Sequence, residues 1–271
     1  MKLGIGSYTY VWAVGVAGCP PPAEPLSALA LVSKAAEVRV PVVQIADNLP
    51  LHRLTGGERT ALRDRAATLG VELEAGTAGI EPENLRRYLA IARELGARIL
   101  RTVIDAGADR PSPGEAVARL APLVPEFERA GVTLAIENHD RFKAATLRDI
   151  VKALGSANVG VCLDTANSLG CLEGPEHVVE TLGPQVVNLH VKDVRVFRPP
   201  HHKGFVVEGA PAGAGQLDLP RLLARLREFG VDPSAIVELW PPPEDDVAQA
   251  VKKEELWARQ SLDYLRPLLV T

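Results

Sequence analysis

The sequence predicts an α/β fold, a (β/α)8 TIM barrel that forms a single domain. Short apolar runs typical of buried strands alternate with longer helical patterns along the chain. A Leu-Gly-Val or Ala-Gly-Val step recurs, as at Gly70 and Gly131, where a glycine ends a helix and a buried strand follows. The 271 residues match the roughly 250 of such a barrel and no linker divides them, so we expect one domain over residues 1–271.

Eight apolar runs of strand length follow one another in the chain. They lie at residues 3–7, 42–47, 71–76, 99–105, 133–137, 159–164, 186–190 and 235–238. Parallel strands of a barrel have their carboxyl ends at one face, so residues at these ends are expected to converge.

Helical patterns occupy the segments between and after these strands. The predicted helices lie at residues 26–39, 55–69, 81–95, 112–130, 146–154, 175–182, 219–229 and 245–268. Gly70, Gly96 and Gly131 each end one helix, and Pro122 and Pro125 break the helix that ends at Gly131.

Two long irregular stretches follow predicted strands, residues 12–25 after the first strand and residues 195–217 after the seventh. Both therefore belong on the catalytic face of the barrel. The second stretch is rich in cations, which include Arg195, Arg198 and Lys203. We predict that this stretch covers the site and recognises a negatively charged or polyhydroxylated substrate.

Composition and charge argue against several classes of protein. A net charge of −4 and a pI near 5.9 disfavour a general nucleic-acid binder, which is usually basic. Three cysteines without paired spacing fit a reducing cytoplasm better than a disulfide scaffold. The chain enters a strand pattern at once and has no run of roughly 18 apolar residues, so we expect no leader, no membrane span and a cytoplasmic location.

Four consecutive predicted strands end in residues that can bind a divalent cation: Glu137, Asp164, His190 and Glu238. Buried strands normally avoid charge, and in a barrel these four ends meet at one face. Three carboxylates and one imidazole suit one divalent ion, Mn²⁺ first, with Mg²⁺, Co²⁺ and Zn²⁺ as alternatives. The competing interpretation is that they are ordinary polar strand ends that face loops.

This ligand set leaves coordination positions for substrate, and a chelated hydroxy-ketone would supply two oxygens. The ion would stabilise the enediolate that forms when a proton or a carboxyl group leaves the adjacent carbon. Glu137 and Glu238 lie roughly opposite each other across the predicted barrel. We therefore assign both as catalytic residues that can carry a proton, one on each face of the substrate.

Five segments carry a family resemblance: Ala135-Ile-Glu-Asn-His139, Leu163-Asp-Thr-Ala-Asn167, Asn188-Leu-His-Val-Lys-Asp193, Gly213-Ala-Gly-Gln-Leu-Asp218 and Val237-Glu-Leu239. They resemble, in order, the signature segments of the xylose-isomerase-like TIM barrel superfamily of sugar isomerases, ketose 3-epimerases, inosose dehydratases and endonuclease IV. The resemblance covers essentially the whole chain. It implies one Mn²⁺-like ion on the four predicted ligands and proton exchange by the two glutamates.

Two features of the sequence distinguish between branches of the superfamily. Ketose 3-epimerases usually place a histidine three residues after the metal-binding Asp, and this chain has Asn167 there. Residues 137–142, 162–170 and 203–213 resemble instead the branch that contains 3-oxo-isoapionate decarboxylase. That type of enzyme removes CO₂ from a branched β-keto sugar acid and forms a similar enediolate, and a cationic segment after the seventh strand suits a carboxylate substrate.

The first functional prediction is a divalent-metal-dependent sugar isomerase or epimerase that acts on a ketose or sugar acid through a metal-stabilised enediolate. The alternative is a metal-dependent decarboxylase of a β-keto sugar acid of the 3-oxo-isoapionate type. An endonuclease IV-like repair enzyme would need a trinuclear zinc site with several more histidines, and the chain has six histidines in total. A non-catalytic sugar-binding barrel is opposed by the complete ligand set.

The predicted substrate contacts are His139, Asn167, Lys192, Arg195, Arg198 and Lys203. Lys192 follows His190 by two residues, so on a strand both side chains point to the same side. Gln44 and Arg101 lie on predicted strands from which they can face the pocket. The expected partner is a small-molecule sugar or sugar acid, with neither nucleic acid nor membrane, and the expected assembly is a homodimer or a homotetramer.

Overall fold

A closed barrel of eight parallel strands forms the centre of the computed structural model, which describes residues 1–269. The barrel strands in chain order are β1 (Leu3–Gly6), β2 (Val42–Ile45), β3 (Glu72–Ala78), β4 (Ile99–Val103), β5 (Thr133–Glu137), β6 (Val159–Asp164), β7 (Val186–Val191) and β10 (Ser234–Val237). Two further strands, β8 (Asp193–Phe197) and β9 (Val206–Ala210), lie outside the barrel. β1 to β7 are neighbours in sequence order, and β10 closes the barrel between β7 and β1. The predicted (β/α)8 barrel is confirmed, whereas β8 and β9 form a separate hairpin.

Helices pack around the barrel and connect its strands. They are α1 (Val11–Val14), α2 (Ala28–Glu37), α3 (Gly56–Leu69), α4 (Pro82–Leu95), α5 (Pro113–Leu120), α6 (Val124–Ala130), α7 (Ala144–Leu154), α8 (Pro175–Leu182), α9 (Leu219–Glu228) and α10 (Val247–Leu269). Within residues 1–269, no helix is both long enough and apolar enough to span a bilayer. Residues 270–271 of the predicted domain lie outside the described residues.

The helix ends follow the signals in the sequence. Gly70, Gly96 and Gly131 end α3, α4 and α6 in the left-handed conformation, which a glycine adopts at little cost. At the other end, Thr55 and Ser112 form capping boxes that satisfy the first backbone N–H groups of α3 and α5. The local sequence therefore sets the lengths of the connections that position the strand ends.

The predicted helix over residues 112–130 is divided into α5 and α6 by the 3-10 turn Ala121–Leu123. Pro122 and Pro125 cause the division because neither has a backbone N–H to donate to an α-helical hydrogen bond. The predicted break is confirmed.

The stretch at residues 195–217 is not irregular throughout, as the sequence had indicated, because β8 and β9 pair as an antiparallel hairpin. The carboxylate of Asp193, at the base of the hairpin, accepts four hydrogen bonds of 2.8–3.1 Å from backbone N–H groups. The donors are Val194, Gly213, Gly215 and Leu217. A Cβ atom at position 215 would lie 2.0 Å from this carboxylate, so the close approach requires glycine. Asp193 thus ties both ends of the hairpin segment to the barrel.

Candidate metal centre

The four predicted ligands meet inside the upper end of the barrel. Glu137, Asp164 and His190 stand at the ends of β5, β6 and β7, and Glu238 directly follows β10. Each of the four is at most 3% exposed. The Nδ1 atom of His190 lies 3.2 Å from a Glu238 oxygen, 3.3 Å from a Glu137 oxygen and 3.9 Å from an Asp164 oxygen. The structure therefore brings together the side chains that the sequence placed on four separate strands.

The two nitrogens of the His190 ring have different environments. Nε2 lies 2.7 Å from the side-chain oxygen of Gln44. Nδ1 is buried and has no hydrogen-bond partner among the residues that the structure describes. A divalent cation bound between this nitrogen and the surrounding carboxylate oxygens would give the nitrogen the partner that it lacks. The residues present fit one ion held by His190 and the three carboxylates.

Arg101, on β4, is the cation that contacts Glu137. Its Nε donates to Glu137, and its Nη1 donates to Asp47 over 2.7 Å. Burial alone raises the pKa of Glu137, but the positive charge of Arg101 acts in the opposite direction and holds that pKa well below its usual range. Glu137 is therefore an ionised carboxylate paired with a buried guanidinium.

Lys192 is the second buried cation of the site. Its Nζ lies 2.5 Å from an Asp164 oxygen, 2.7 Å from a Glu238 oxygen and 4.9 Å from the centre of the Trp240 ring. Burial lowers the pKa of Lys192, but Asp164 and Glu238 outweigh burial and raise the pKa above its ordinary value. Lys192 thus stays charged in salt bridges with Asp164 and Glu238, and its predicted contact with substrate stays a prediction.

Two asparagines hold the carboxylates in place. Asn167 donates from its side chain to Glu137 (2.7 Å) and from its backbone N–H to Asp164 (2.8 Å). Asn138 accepts a hydrogen bond from the backbone N–H of Asp164 and donates to the Asp164 carbonyl. The Asn167 amide orients a ligand here, and its predicted contact with substrate stays a prediction.

Cys162 adds a thiol beneath this cluster. Its sulfur lies close enough to Glu137 and His190 to form a group of three candidate ligands, and it donates to the Asn188 side chain over 3.2 Å. Burial raises the pKa of the Cys162 thiol well above its usual value, with the Glu137 charge acting in the same direction. A neutral thiol is a poor ligand. The sequence prediction of a core position agrees with its complete burial.

A family model for the xylose isomerase-like TIM barrel matches residues 38–268. The chain belongs to this family. It is 35% identical over 265 residues to 3-oxo-isoapionate decarboxylase of Pectobacterium atrosepticum, an alignment that covers 98% of this chain and 95% of that protein. Both resemblances predicted from the sequence are thereby confirmed.

Solved structures of similar barrels agree with the family assignment. D-psicose 3-epimerase of Clostridium cellulolyticum superposes with a TM-score of 0.76 at 18% identity over 100% of both chains. A xylose isomerase-like barrel from Mycobacterium smegmatis, solved in complex with magnesium, gives 0.66 at 16% identity over 99% of this chain and 98% of that one. At these identities the likeness shows a common fold.

The remaining predicted substrate contacts of this xylose isomerase-like barrel lie in exposed positions. His139 is paired with Asp140 at the surface. Arg195 is paired with Glu208 across the hairpin, Arg198 lies over the Phe205 ring, and Lys203 is exposed near the hairpin tip. The described contacts of the His139, Arg195 and Arg198 side chains are with neighbouring surface residues. Their roles in substrate binding stay predictions.

Several residues that contact the cluster were not predicted from the sequence. Gln44 and Arg101 were predicted only as strand residues that can face the pocket. Asp47 binds Arg101 and accepts from the Tyr8 hydroxyl over 3.0 Å. Glu74 and Asn188 lie deeper in the barrel and contact Gln44. A charged or amide side chain inside a buried strand is the signal that would have found Glu74 and Asn188, since such positions normally carry apolar residues.

Proposed function

We propose that this chain is a divalent-metal-dependent carboxy-lyase that removes CO₂ from a β-keto sugar acid. The observation that carries the proposal is the presence of two buried cations, Arg101 and Lys192, in direct contact with the predicted metal ligands. The 35% identity to 3-oxo-isoapionate decarboxylase over 98% of the chain also supports this reaction. The decarboxylase and the epimerase compared above are both enzymes, so catalysis is the common property.

The site offers cationic groups to an anionic substrate. Arg101 pairs with Glu137 and Asp47, and Lys192 pairs with Asp164 and Glu238. These four carboxylates and two cations leave two negative charges when His190 is neutral, and a divalent ion would bring the sum to zero. A substrate carboxylate would then need a direct contact with the ion or with one of the two cations, because an unpaired charge in a buried site is costly. The proposal therefore depends on the positions of Arg101 and Lys192 and not on the total charge of the site.

The residues of the site can perform the two halves of a decarboxylation. The bond between the α-carbon and the carboxyl group breaks, its electron pair delocalises onto the ketone oxygen as an enediolate, and CO₂ leaves. A bound divalent ion supplies a Lewis acid that stabilises negative charge on substrate oxygens. Lys192 lies beside Asp164 and Glu238 with hydrogen-bond donors for the same charge. We assign to Glu238 the delivery of a solvent-derived proton to the α-carbon.

Proton exchange places a stricter demand on this site than decarboxylation does. An epimerase needs one group that removes a proton and a second that returns a proton on the opposite face. Arg101 holds the pKa of Glu137 well below its usual range, after burial has acted in the opposite direction. A carboxylate paired with a buried guanidinium is a weaker proton acceptor than an unpaired one. Decarboxylation requires no base, so this ion pair does not oppose it.

Epimerisation of a ketose is the second candidate function. The observation that favours it is the placement of Glu137 and Glu238, whose oxygens lie 3.3 and 3.2 Å from the same His190 nitrogen. A two-base proton exchange requires two carboxylates close to one substrate position, and these two residues meet that requirement. The first prediction from the sequence therefore stays open beside the decarboxylase.

A product assay separates the two functions. The protein is freed of metal, reconstituted with MnCl₂, and incubated either with 3-oxo-isoapionate or with D-psicose and D-fructose. We expect metal-dependent release of CO₂ from the keto acid, detected by ¹³C NMR, and no interconversion of the ketoses by chromatography. Ketose interconversion without CO₂ release would replace the proposal by the second candidate. The same preparation tests the predictions of a Mn²⁺-type ion and, by sedimentation, of a homodimer or homotetramer.

A further inference from the structure

A buried polar network lies directly beneath the ligand cluster. Gln44 on β2 is paired in register with Glu74 on β3, and Asn188 on β7 is paired with Ser234 on β10. The Gln44 amide nitrogen donates to Glu74 (3.0 Å) and to Asn188 (2.9 Å). The Asn188 amide nitrogen donates to the same Glu74 oxygen (3.0 Å) and to Ser234 (2.9 Å). The network thus connects four strands across the barrel interior.

Glu74 determines how the two amides are oriented. Its Oε2 receives two N–H donors, while its Oε1 contacts the Ser234 hydroxyl, which can donate or accept. Oε2 can therefore remain an acceptor whether the carboxyl group is ionised or neutral. If both amides were turned around, Oε2 would face two oxygens, and one proton could satisfy only one of them. A buried carboxyl group at this position therefore selects one orientation of Gln44.

The orientation of Gln44 in turn selects the tautomer of His190. With its nitrogen committed to Glu74 and Asn188, Gln44 presents its oxygen to His190 Nε2 at 2.7 Å. An oxygen in this position requires a hydrogen on Nε2. The lone pair of the neutral ring then lies on Nδ1, the atom that faces the three carboxylates. The opposite tautomer would place a hydrogen where the cation belongs and leave two acceptors in contact.

We propose that Gln44 and Glu74 are positioning residues that commit His190 to bind the metal through Nδ1. Gln44 acts on the ring directly, and Glu74 acts through Gln44. This inference rests on the proposed metal site but concerns two residues that are not among its four predicted ligands. A partner on the second ring nitrogen of a metal-binding histidine typically contributes about 10–100-fold to metal affinity.

Mn²⁺ affinity, measured with MnCl₂ alone by the EPR signal of the free ion, tests the proposal. We expect Gln44→Met to lower the affinity about 10–100-fold because it removes the acceptor at Nε2. Glu74→Met should lower it by a smaller factor. Glu74→Gln should bind Mn²⁺ within about twofold of wild type, because an amide oxygen can still accept from both donors while its nitrogen faces Ser234. The matched control is Ser234→Ala, which removes one hydrogen bond to Glu74 and one from Asn188 and leaves both hydrogen bonds that Gln44 donates in place.

A second readout reports the tautomer itself. In Zn²⁺-loaded protein with ¹⁵N-labelled histidine, long-range ¹H–¹⁵N spectra should show the His190 hydrogen on Nε2 and the metal shift on Nδ1. Gln44→Met should lose this single pattern, and Glu74→Gln should keep it. If Gln44→Met does not fold, the comparison of Glu74→Met with Glu74→Gln decides the question.

Three outcomes would overturn the inference. Wild-type affinity and an unchanged spectrum in both methionine variants would show that the network plays no part in positioning. An equal loss of affinity in Ser234→Ala would show a general effect of weakening the network. Failure of the wild-type protein to bind Mn²⁺ would contradict the proposed metal site as well. Binding of Mn²⁺ by wild type with no difference in the variants would contradict the role of the network alone.

Discussion

The buried ligand cluster and the exposed β8–β9 hairpin both carry cations, but they carry them in different physical conditions. Arg101 and Lys192 are at most 5% exposed and each contacts ligand carboxylates. On the hairpin, Arg195 has a side chain that is 55% exposed, and it pairs with Glu208 in contact with water. Because water screens the second pair and not the first, charges in the cluster control binding and stability far more strongly. Location, rather than the number of cations, is the reason for which we propose that an anionic substrate binds at the buried cluster and not at the hairpin.

The largest expected effect comes from Glu238→Gln in the cluster. The amide keeps the shape of the side chain but is a weaker ligand and cannot deliver a proton. We expect kcat for CO₂ release to fall about 10²–10⁴-fold, the range for loss of a general acid or base, with an unchanged circular dichroism spectrum. Glu244→Gln, at an exposed position, is the control. Turnover of Glu238→Gln within a few-fold of wild type would mean that the residue is neither ligand nor acid.

The second prediction measures what Lys192 contributes to the cluster. Lys192→Met removes the partner of two buried carboxylates, and such a loss typically costs about 3–5 kcal/mol of folding stability. We expect a lower Tm of the metal-free protein and a larger rise in Tm on addition of MnCl₂ than in wild type, because a divalent ion replaces the missing positive charge. The measurement is differential scanning calorimetry with and without the ion.

The matched control for Lys192→Met is Lys2→Met. Lys2 forms a pair with Glu72 in which both side chains are more than half exposed. We expect no measurable change in Tm there, since exposed pairs contribute little. Equal effects at the two positions would contradict the distinction between the buried cluster and the exposed surface.

The sequence was sufficient for the parts of the molecule that follow from local patterns. The glycine steps at Gly70, Gly96 and Gly131 predicted helix ends that the structure has, and the apolar strand runs predicted the barrel. The meeting of the four predicted ligands was predictable because each stands at or beside the carboxyl end of a barrel strand, so that the fold alone brings them together. What the sequence did not indicate was the contact set of each ligand.

Those contacts depend on the register between strands that are far apart in the chain. Gln44 contacts His190, from which it is 146 residues apart in sequence, and Glu74 contacts Asn188, from which it is 114 residues apart. No local pattern encodes such distances. The hairpin was missed for a different reason: residues 195–217 contain Pro199, Pro200 and Gly204, which indicate irregular backbone although β8 and β9 pair on either side of them.

Glu254 sharpens the comparison because it is a buried carboxylate that accepts from backbone N–H groups, those of Trp12 and Ala13, instead of from a cation. Burial raises the pKa of Glu254 to about 8, although these hydrogen bonds act in the opposite direction. The folded protein therefore holds its proton more tightly than the unfolded chain does. Stability should be greatest below the unfolded pKa, near 4.5, and should decrease as pH rises toward 8.

Urea unfolding at pH 5, 6.5 and 8 checks this prediction. The contribution of Glu254 is at most about 1.4 kcal/mol per pH unit within that window. Glu254→Gln has no proton to lose, so its free energy of unfolding should decrease less between pH 5 and 8 than that of wild type. Parallel pH profiles of the two proteins would show that the hydrogen bonds to α1 compensate fully for burial.

The smallest expected effect lies on the hairpin, where the sequence predicted recognition of the substrate anion. Arg195→Gln, Arg198→Gln and Lys203→Gln each remove one exposed charge. Arg195 already pairs with Glu208, and Arg198 lies over Phe205, so neither has a free charge directed at the ligand cluster in the described structure. We expect KM for the keto acid to change by no more than about twofold in each variant, the size typical of an exposed pair. Lys192→Met is measured in parallel, and we expect a larger increase in KM for the keto acid there because Lys192 is buried in the cluster. A rise of tenfold or more in a hairpin variant, confined to keto acids and absent for neutral ketoses, would show that the hairpin closes over the substrate carboxylate and would restore the prediction made from the sequence.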